Sequence, residues 1–411
     1  MKDTIIHWLK NENSRKSGNY VHDFLTVEIS DQVRNFHQKL EGFKQTPLLH
    51  LSDLSKELGV GGVWVKDEGK RNELKSFKAL GGSWAIFQHL KKCLGIPEDR
   101  EIGFDELGRL LKEKNKDIVF CTATDGNHGA GVAWAAQKLN QKAKIYFPQE
   151  TVKARLDRVR SLGADVIVVP DNYDIAVEKA FSDAKENGWT IISDTAWEGY
   201  EEIPKWVIQG YTTLTNEAQE QLNKKGIDKP THIFIQAGVG SLASGVVGYY
   251  SSLLKEEMPI TVIVEPENAD CIFSSLEQKD GKIHQIGGDL QTIMAGLSCG
   301  RPNPIAYEVL WNLGDYSVRC SDFVAAKGMR IAAAPAGNDP SFIAGESAVV
   351  GLGLLSFIQK SEQLQDLKKE LQLNKDSQVL IISTEGDTDP VNYQHVVWDG
   401  VYPTPKKYLN Y

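Results

Sequence analysis

The sequence predicts an α/β fold built on parallel strands, and three observations carry that expectation. Short β-branched runs alternate with amphipathic stretches from about Gly62 onward. The runs are apolar strands followed by helices, the signature of parallel strands covered on both faces. The stretches between them are long enough for the crossover helices that parallel neighbours require.

In chain order the expected strands are VWVKDE from Val63, DIVFCTAT from Asp117, AKIYFP from Ala143, DVIVVP from Asp165 and WTIISD from Trp189. THIFIQAG from Thr231, ITVIVEPE from Ile260, YSVRCS from Tyr316 and QVLIISTEG from Gln378 complete the set. Helical spacing covers Ala79 to Leu94, Ala130 to Leu139, Lys153 to Leu162, Ile175 to Asn187 and Glu217 to Lys224. The first 60 residues are weakly periodic and read as a docking arm. Ser361 to Asp376 is charged and helical in pattern, a solvated surface helix. No repeat of solenoid length stands out.

The chain has 411 residues, with 46 Lys plus Arg against 55 Asp plus Glu, a net charge of −9. Without a basic block, nucleic acid and anionic membranes are poor partners, because phosphate binding needs clustered cations. The apolar stretch Ala348 to Phe357 is too short to span a bilayer, and no signal-peptide pattern is visible, so the cytoplasm is expected. Five cysteines without a CxxC pair support neither a disulfide framework nor a metal site. A single bridge, such as Cys271 with Cys299, stays open.

In parallel sheets, ligands sit beyond the carboxyl ends of the strands, so the strand-to-helix loops are the places to look. NELKSFKALGG, from Asn72, puts Lys78 at a helix start beside Phe77. A lysine there can hold a carbonyl as a Schiff base, and Phe77 can cover an aromatic ring. Alone it would be a solvated charge; its company changes that. CTATDGNHGAG, from Cys121, offers Asp125 as a cap and Asn127 as an amide for a phenolic oxygen or carboxylate.

QAGVGSLASG, from Gln236, lets backbone approach an oxyanion at Gly238 and Gly240, with Ser241 adding a hydroxyl. The same letters fit a dinucleotide fingerprint with Glu265 as the ribose acid, which keeps an NAD oxidoreductase open. ISTEGDTD, from Ile382, brings Ser383 and Thr384 within reach of a ring nitrogen, and Asp194 ends WTIISD.

Together these segments resemble pyridoxal-phosphate enzymes of the tryptophan synthase β and threonine dehydratase fold type. SFKALGG resembles the Schiff-base lysine segment and TATDGNHGAGVAWAA the Gly-Asn-His loop and helix. KARLDRVRSLGADVIVV resembles the basic helix running into a strand, QAGVGSLASG the phosphate cup, and ISTEGDTD the ring-nitrogen turn. The match runs in order from about Thr46 to Asp389. The resemblance implies two open, twisted, mostly parallel sheets with the cofactor between them. It implies a large discontinuous domain, 1–82 plus 211–411, a small domain, 83–210, and a homodimer.

Two departures narrow the subfamily. Asp125 stands where the dehydratases carry a small residue, and Val239 and Ser241 replace a glycine run. With Asp194 and MAGLSCG from Met294, the pattern resembles the ammonia-lyases that act on 2,3-diaminopropionate. Two carboxylates in a water-poor site suit an extra ammonium and would be left unpaired by a neutral hydroxyl. By resemblance Lys78 holds the cofactor beside Phe77, and Asn127 bonds its phenolic oxygen. Gly238, Val239, Gly240, Ser241 and Leu242 hold its phosphate, and Ser383 or Thr384 meets the pyridine nitrogen; Glu385 intrudes where dehydratases carry a glycine. Lys78 is the expected base for the L isomer and Asp125 for the D isomer, with Asp194 holding the leaving ammonium. The alternatives are a serine/threonine dehydratase-like lyase, an NAD oxidoreductase, or an inactive ligand sensor.

Overall fold

The computed structural model describes residues 5–15, 22–97, 100–124, 126–170 and 173–409. Its strands are β1 Ile6–Lys10, β2 Leu48–His50, β3 Gly62–Asp67, β4 Val119–Ala123, β5 Lys142–Pro148, β6 Asp165–Val169, β7 Thr190–Ile191, β8 His232–Gln236, β9 Ile260–Pro266, β10 Tyr316–Cys320 and β11 Gln378–Ser383. A 7-stranded sheet has the order β1-β10-β9-β8-β11-β3-β2, and a 4-stranded sheet the order β6-β5-β4-β7. Every pair in the smaller sheet is parallel, as is the run from β10 to β3 in the larger one.

The apolar runs of β3, β8, β9 and β11 are buried on both faces. In β8, Ile233 and Ile235 enter a core that also takes Phe120, Ile145 and Phe147 of the smaller sheet, so one apolar mass joins the two. Phe234 points to the opposite layer, with Val262, Val264, Val379 and the helix Val350–Lys360. The outer face of the smaller sheet packs Cys121 and Tyr146 on Ala176, Ala180 and Ala184.

Five elements depart from the sequence expectation. β1 and β2 were not anticipated; both are short, half-exposed antiparallel edges, where neither periodicity nor length gives a signal. WTIISD yields only Thr190–Ile191, because the chain turns from Ser193 and carries Asp194 out of the sheet. The helix expected from Glu217 begins at Glu202. Its Pro204 sits in the first turn, where no N–H is needed, and burial on nearly every side hides its amphipathic period. Ser361 to Asp376 holds a 3-10 turn, Glu362–Leu364, and the short helix Gln365–Glu370, and Leu364, Leu367 and Leu371 are buried rather than solvated.

Behind the loop that leads to Lys78 lies a buried charge-balanced network. Lys66 Nζ donates to Glu217 Oε2 at 2.6 Å and to Thr46 O at 2.8 Å. Arg71 donates to Glu68 and Glu217, each at 2.8 Å, and to Thr46 Oγ1 at 3.2 Å. The two cations meet two carboxylates with their hydrogens used, which tolerates the burial.

Candidate active site

A cavity of about 800 Å³ opens at the carboxyl ends of β4, β5, β8 and β11, between the two sheets. Phe77, Lys78, Asn127, Asp194, Gly238, Val239, Gly240, Ser241, Leu242 and Thr384 all line it. Asp125 lies outside the described residues; its neighbour Thr124 lines the cavity.

Lys78 is the first residue of the helix Lys78–Cys93. The preceding loop is stitched to the turn after β11: Phe77 N donates to Thr384 O at 3.3 Å, and Gly386 N to Lys75 O at 2.9 Å. Lys78 Nζ lies 2.6 Å from Asp194 Oδ2, with the ring centroids of Phe77 at 5.4 Å and Tyr211 at 5.7 Å. Burial would raise the Asp194 pKa, but the Lys78 ammonium and then His128 outweigh it and hold the carboxyl well below the usual range. His128 Nε2 donates to Ile192 O at 2.7 Å, which turns Nδ1 toward Asp194 Oδ2 at 3.9 Å.

Asn127 opens the helix Asn127–Lys138 with both ends of its amide engaged. Nδ2 donates to Glu385 Oε2, and Oδ1 accepts from Arg158 Nη1 at 2.8 Å. Arg158 also donates to Leu74 O, tying this corner to the Lys78 loop. Glu385 accepts from Ser347 N and Thr388 Oγ1, each at 3.2 Å. Beside it Arg155 Nη2 donates to Glu346 Oε1 at 2.7 Å. Burial, reinforced by Glu385, pushes the Glu346 carboxyl up to about 8 despite Arg155.

At the end of β11 the two hydroxyls separate. Thr384 faces the cavity, accepts from Gln236 Nε2 at 3.1 Å and donates to Ser347 O at 3.3 Å. Ser383 is fully buried, does not line the cavity, and its hydroxyl has no hydrogen-bond partner among the described residues. Alternation along the strand explains the split.

The glycine turn runs from β8 into the helix Ser241–Leu254. Gly240 has φ +91°, a left-handed conformation that glycine adopts without strain, and it aims the helix's first N–H groups at the cavity. A Cβ on Gly238 would fall 3.0 Å from Cys299 Sγ and 3.2 Å from Gly296 O, so the backbone has the wall to itself. Backbone N–H donors at a helix N-terminus are a set for an anion with several acceptor oxygens. The cradle therefore fits a phosphate, Thr384 fits a neutral ring nitrogen, and Lys78 fits an aldehyde.

Glu265 is excluded from any ribose contact. It is fully buried off the cavity, where Oε1 accepts from Ile272 N at 2.8 Å and Oε2 from Phe273 N at 2.7 Å. It holds the start of a helix, which removes the dinucleotide reading. Cys271 and Cys299 are not bridged to each other. Sequence reasoning did not find Arg155, Arg158, Gln236, Asn303, Glu346 or Ser347; the only hint was the basic pattern KARLDRVRS.

A family model described as pyridoxal-phosphate dependent enzyme matches residues 39–385. The chain is similar to a diaminopropionate ammonia-lyase of Escherichia coli strain K12, 48% identical over 369 residues, covering 90% of this chain and 91% of that protein. A diaminopropionate ammonia-lyase of Salmonella typhimurium is 45% identical over 378 residues, covering 92% and 93%. The crystal structure of the Escherichia coli diaminopropionate ammonia-lyase in complex with D-serine superposes with a TM-score of 0.91 at 43% identity, covering 97% and 98% of the two chains.

Proposed function

The chain belongs to the pyridoxal-phosphate dependent enzymes and, within them, to the diaminopropionate ammonia-lyases, and from that premise we propose how its cavity works on both isomers. 2,3-Diaminopropionate and one water become pyruvate and two ammonia. Bound pyridoxal phosphate supplies an aldehyde that captures an amine and a conjugated ring that accepts the electrons released when a Cα proton leaves.

The chain's own residues do the rest. Backbone N–H groups from Gly238 to Leu242, with Ser241, hold the phosphate, and Asn127 holds the phenolic oxygen. Phe77 borders the ring. Thr384 meets the pyridine nitrogen, because it lines the cavity and Ser383 does not. The Gln236 amide donates to the Thr384 oxygen at 3.1 Å, and the single hydroxyl hydrogen, which points to Ser347 O at 3.3 Å, is the one that would turn to the ring nitrogen. Lys78 anchors the aldehyde and, once displaced by the substrate amine, takes the Cα proton of the L isomer. Asp125 takes it from the D isomer. Asp194 holds the departing ammonium.

The observation that carries this reading is the 2.6 Å pair of Lys78 and Asp194 inside the cavity. When Lys78 is engaged by an aldehyde, the buried Asp194 carboxylate needs another cation. A diamine brings one, whereas the hydroxyl of serine or threonine leaves the carboxylate uncompensated. A pyruvate-coupled assay with both isomers of diaminopropionate beside serine and threonine tests this. Higher kcat/KM for the diamine supports it; preference for serine or threonine returns the chain to the dehydratase reading.

The enzyme is proposed to act on a free amino acid in the cytoplasm as a homodimer. No helix among the described residues is long and apolar enough to cross a membrane. The sheets suggest a division at about 82/83 and 210/211, each inside a helix, Lys78–Cys93 and Glu202–Lys224.

A further inference from the structure

Asn303 stands where the glycine turn, the Asp194 loop and a helix start meet. It is fully buried. Its Oδ1 accepts from Ile305 N at 3.1 Å, capping the helix Pro304–Leu313. Its Nδ2 donates to Asp194 O at 3.0 Å and to Ser241 Oγ at 2.9 Å, and its backbone N–H donates to Val239 O at 2.9 Å. Every polar group of the amide is used, and these partners decide which end is oxygen and which is nitrogen. Ser241 Oγ also donates to Asp194 O at 2.7 Å. The carbonyl of the residue that faces Lys78 is therefore held by two donors, and one of those donors belongs to the phosphate cradle.

We propose that Asn303 is a positioning residue that couples filling of the glycine turn to placement of the Asp194 carboxylate against Lys78. The inference rests on the functional reading above. A serine hydroxyl has one hydrogen, and Ser241 spends it on the Asp194 carbonyl. A phosphate dianion offers only acceptors, so a Ser241 that donates to phosphate lets go of that carbonyl. Asn303 Nδ2 then remains as the donor that holds Asp194 in place. Its second hydrogen, on Ser241 Oγ, keeps the serine hydrogen pointing away from Asn303 and toward whichever acceptor is present. The coupling also accounts for the Met294 to Gly300 segment: Gly296, Leu297, Ser298 and Cys299 line the cavity, and the chain continues from them into Asn303.

Asn303→Asp provides the test. Ionised aspartate has the same shape and caps a helix as well as asparagine, yet it can make neither donation. In the holoenzyme, kcat/KM for diaminopropionate should fall roughly tenfold or more, as loss of a buried hydrogen bond near a charge allows. The affinity for D-serine, which lacks the second ammonium, should change less than threefold. In the apoprotein, the dissociation constant for pyridoxal phosphate should rise roughly tenfold while the melting temperature stays within a few degrees. Should the aspartate variant fail to fold, Asn303→Ser keeps a capping oxygen but is too short for both donations, and the same split is expected. Equal losses for the two ligands, no loss, or cofactor affinity within twofold of wild type overturns the coupling. A wild-type protein that binds no pyridoxal phosphate, or makes no pyruvate from diaminopropionate, overturns the functional reading instead.

Discussion

Lys78 Nζ lies 2.6 Å from Asp194 Oδ2, a direct ion pair on the wall of the cavity. Removing the lysine should abolish both turnover and the visible absorbance of the bound cofactor; a Lys78→Ala protein that still turns over ends the assignment. Asp194→Asn keeps the shape but not the charge. The Lys78 ammonium holds Asp194 well below the usual carboxylate range, and once Lys78 is engaged the substrate's second ammonium takes its place, so Asp194 adds no inflection from pH 5 to 9. The asparagine variant should lose roughly tenfold or more on diaminopropionate across that range and less on serine. Loss confined to one side of neutrality would contradict a permanently charged Asp194.

Gly131 fixes where Lys78 stands. A Cβ at this position would lie 2.7 Å from Lys78 O and 2.8 Å from Lys78 C, both backbone atoms that cannot swing aside. Gly131→Ala must push the helices Lys78–Cys93 and Asn127–Lys138 apart, costing about 1–3 kcal/mol as overpacking does. Cofactor content after purification and the melting temperature should both fall. Full cofactor occupancy with an unchanged melting temperature would mean that the crossing absorbs the methyl group.

Much of this was legible in the sequence because the chemistry sits in contiguous loops. SFKALGG, GNHGAG and QAGVGS each carry their own turn residues and their own functional group. The choice between Ser383 and Thr384 was not legible, since it depends on which face of β11 meets the cavity. Neither was the support of Asn127: its partners Arg158 and Glu385 come from separate elements, 31 and 258 residues away. Arg155 and Glu346, 191 residues apart, read singly as ordinary surface charges until the fold joins them. Glu265 ran the other way. Its place at the end of β9 suggested a ribose ligand, but burial turned it into a helix cap.

Asp125 divides the two isomers if it serves as the base on the face opposite Lys78. Asp125→Asn should then depress kcat on D-diaminopropionate by about a hundredfold, within the span of general base catalysis, and the L reaction less. Parallel assays on the two isomers at one pH decide it. Equal losses would remove the two-base scheme and leave the lyase assignment standing.

Glu346 should make the enzyme's stability depend on pH in a predictable direction. Burial and then Glu385 push its carboxyl from 4.5 up to about 8, with Arg155 and the more distant Asp389 also facing it. Between those values the native state keeps a proton that the unfolded chain has released. Stability from this group therefore falls as pH rises through the window and levels off above it. Glu346→Gln imitates the protonated acid and still offers Arg155 an oxygen. Near pH 5 the variant and wild type should melt together, and by pH 8 to 9 the variant should melt higher by a few degrees. Melting curves at half-unit pH steps check this: a gap that stays constant from pH 5 to 9 would show that Glu346 is ionised throughout, held by its 2.7 Å bond to Arg155.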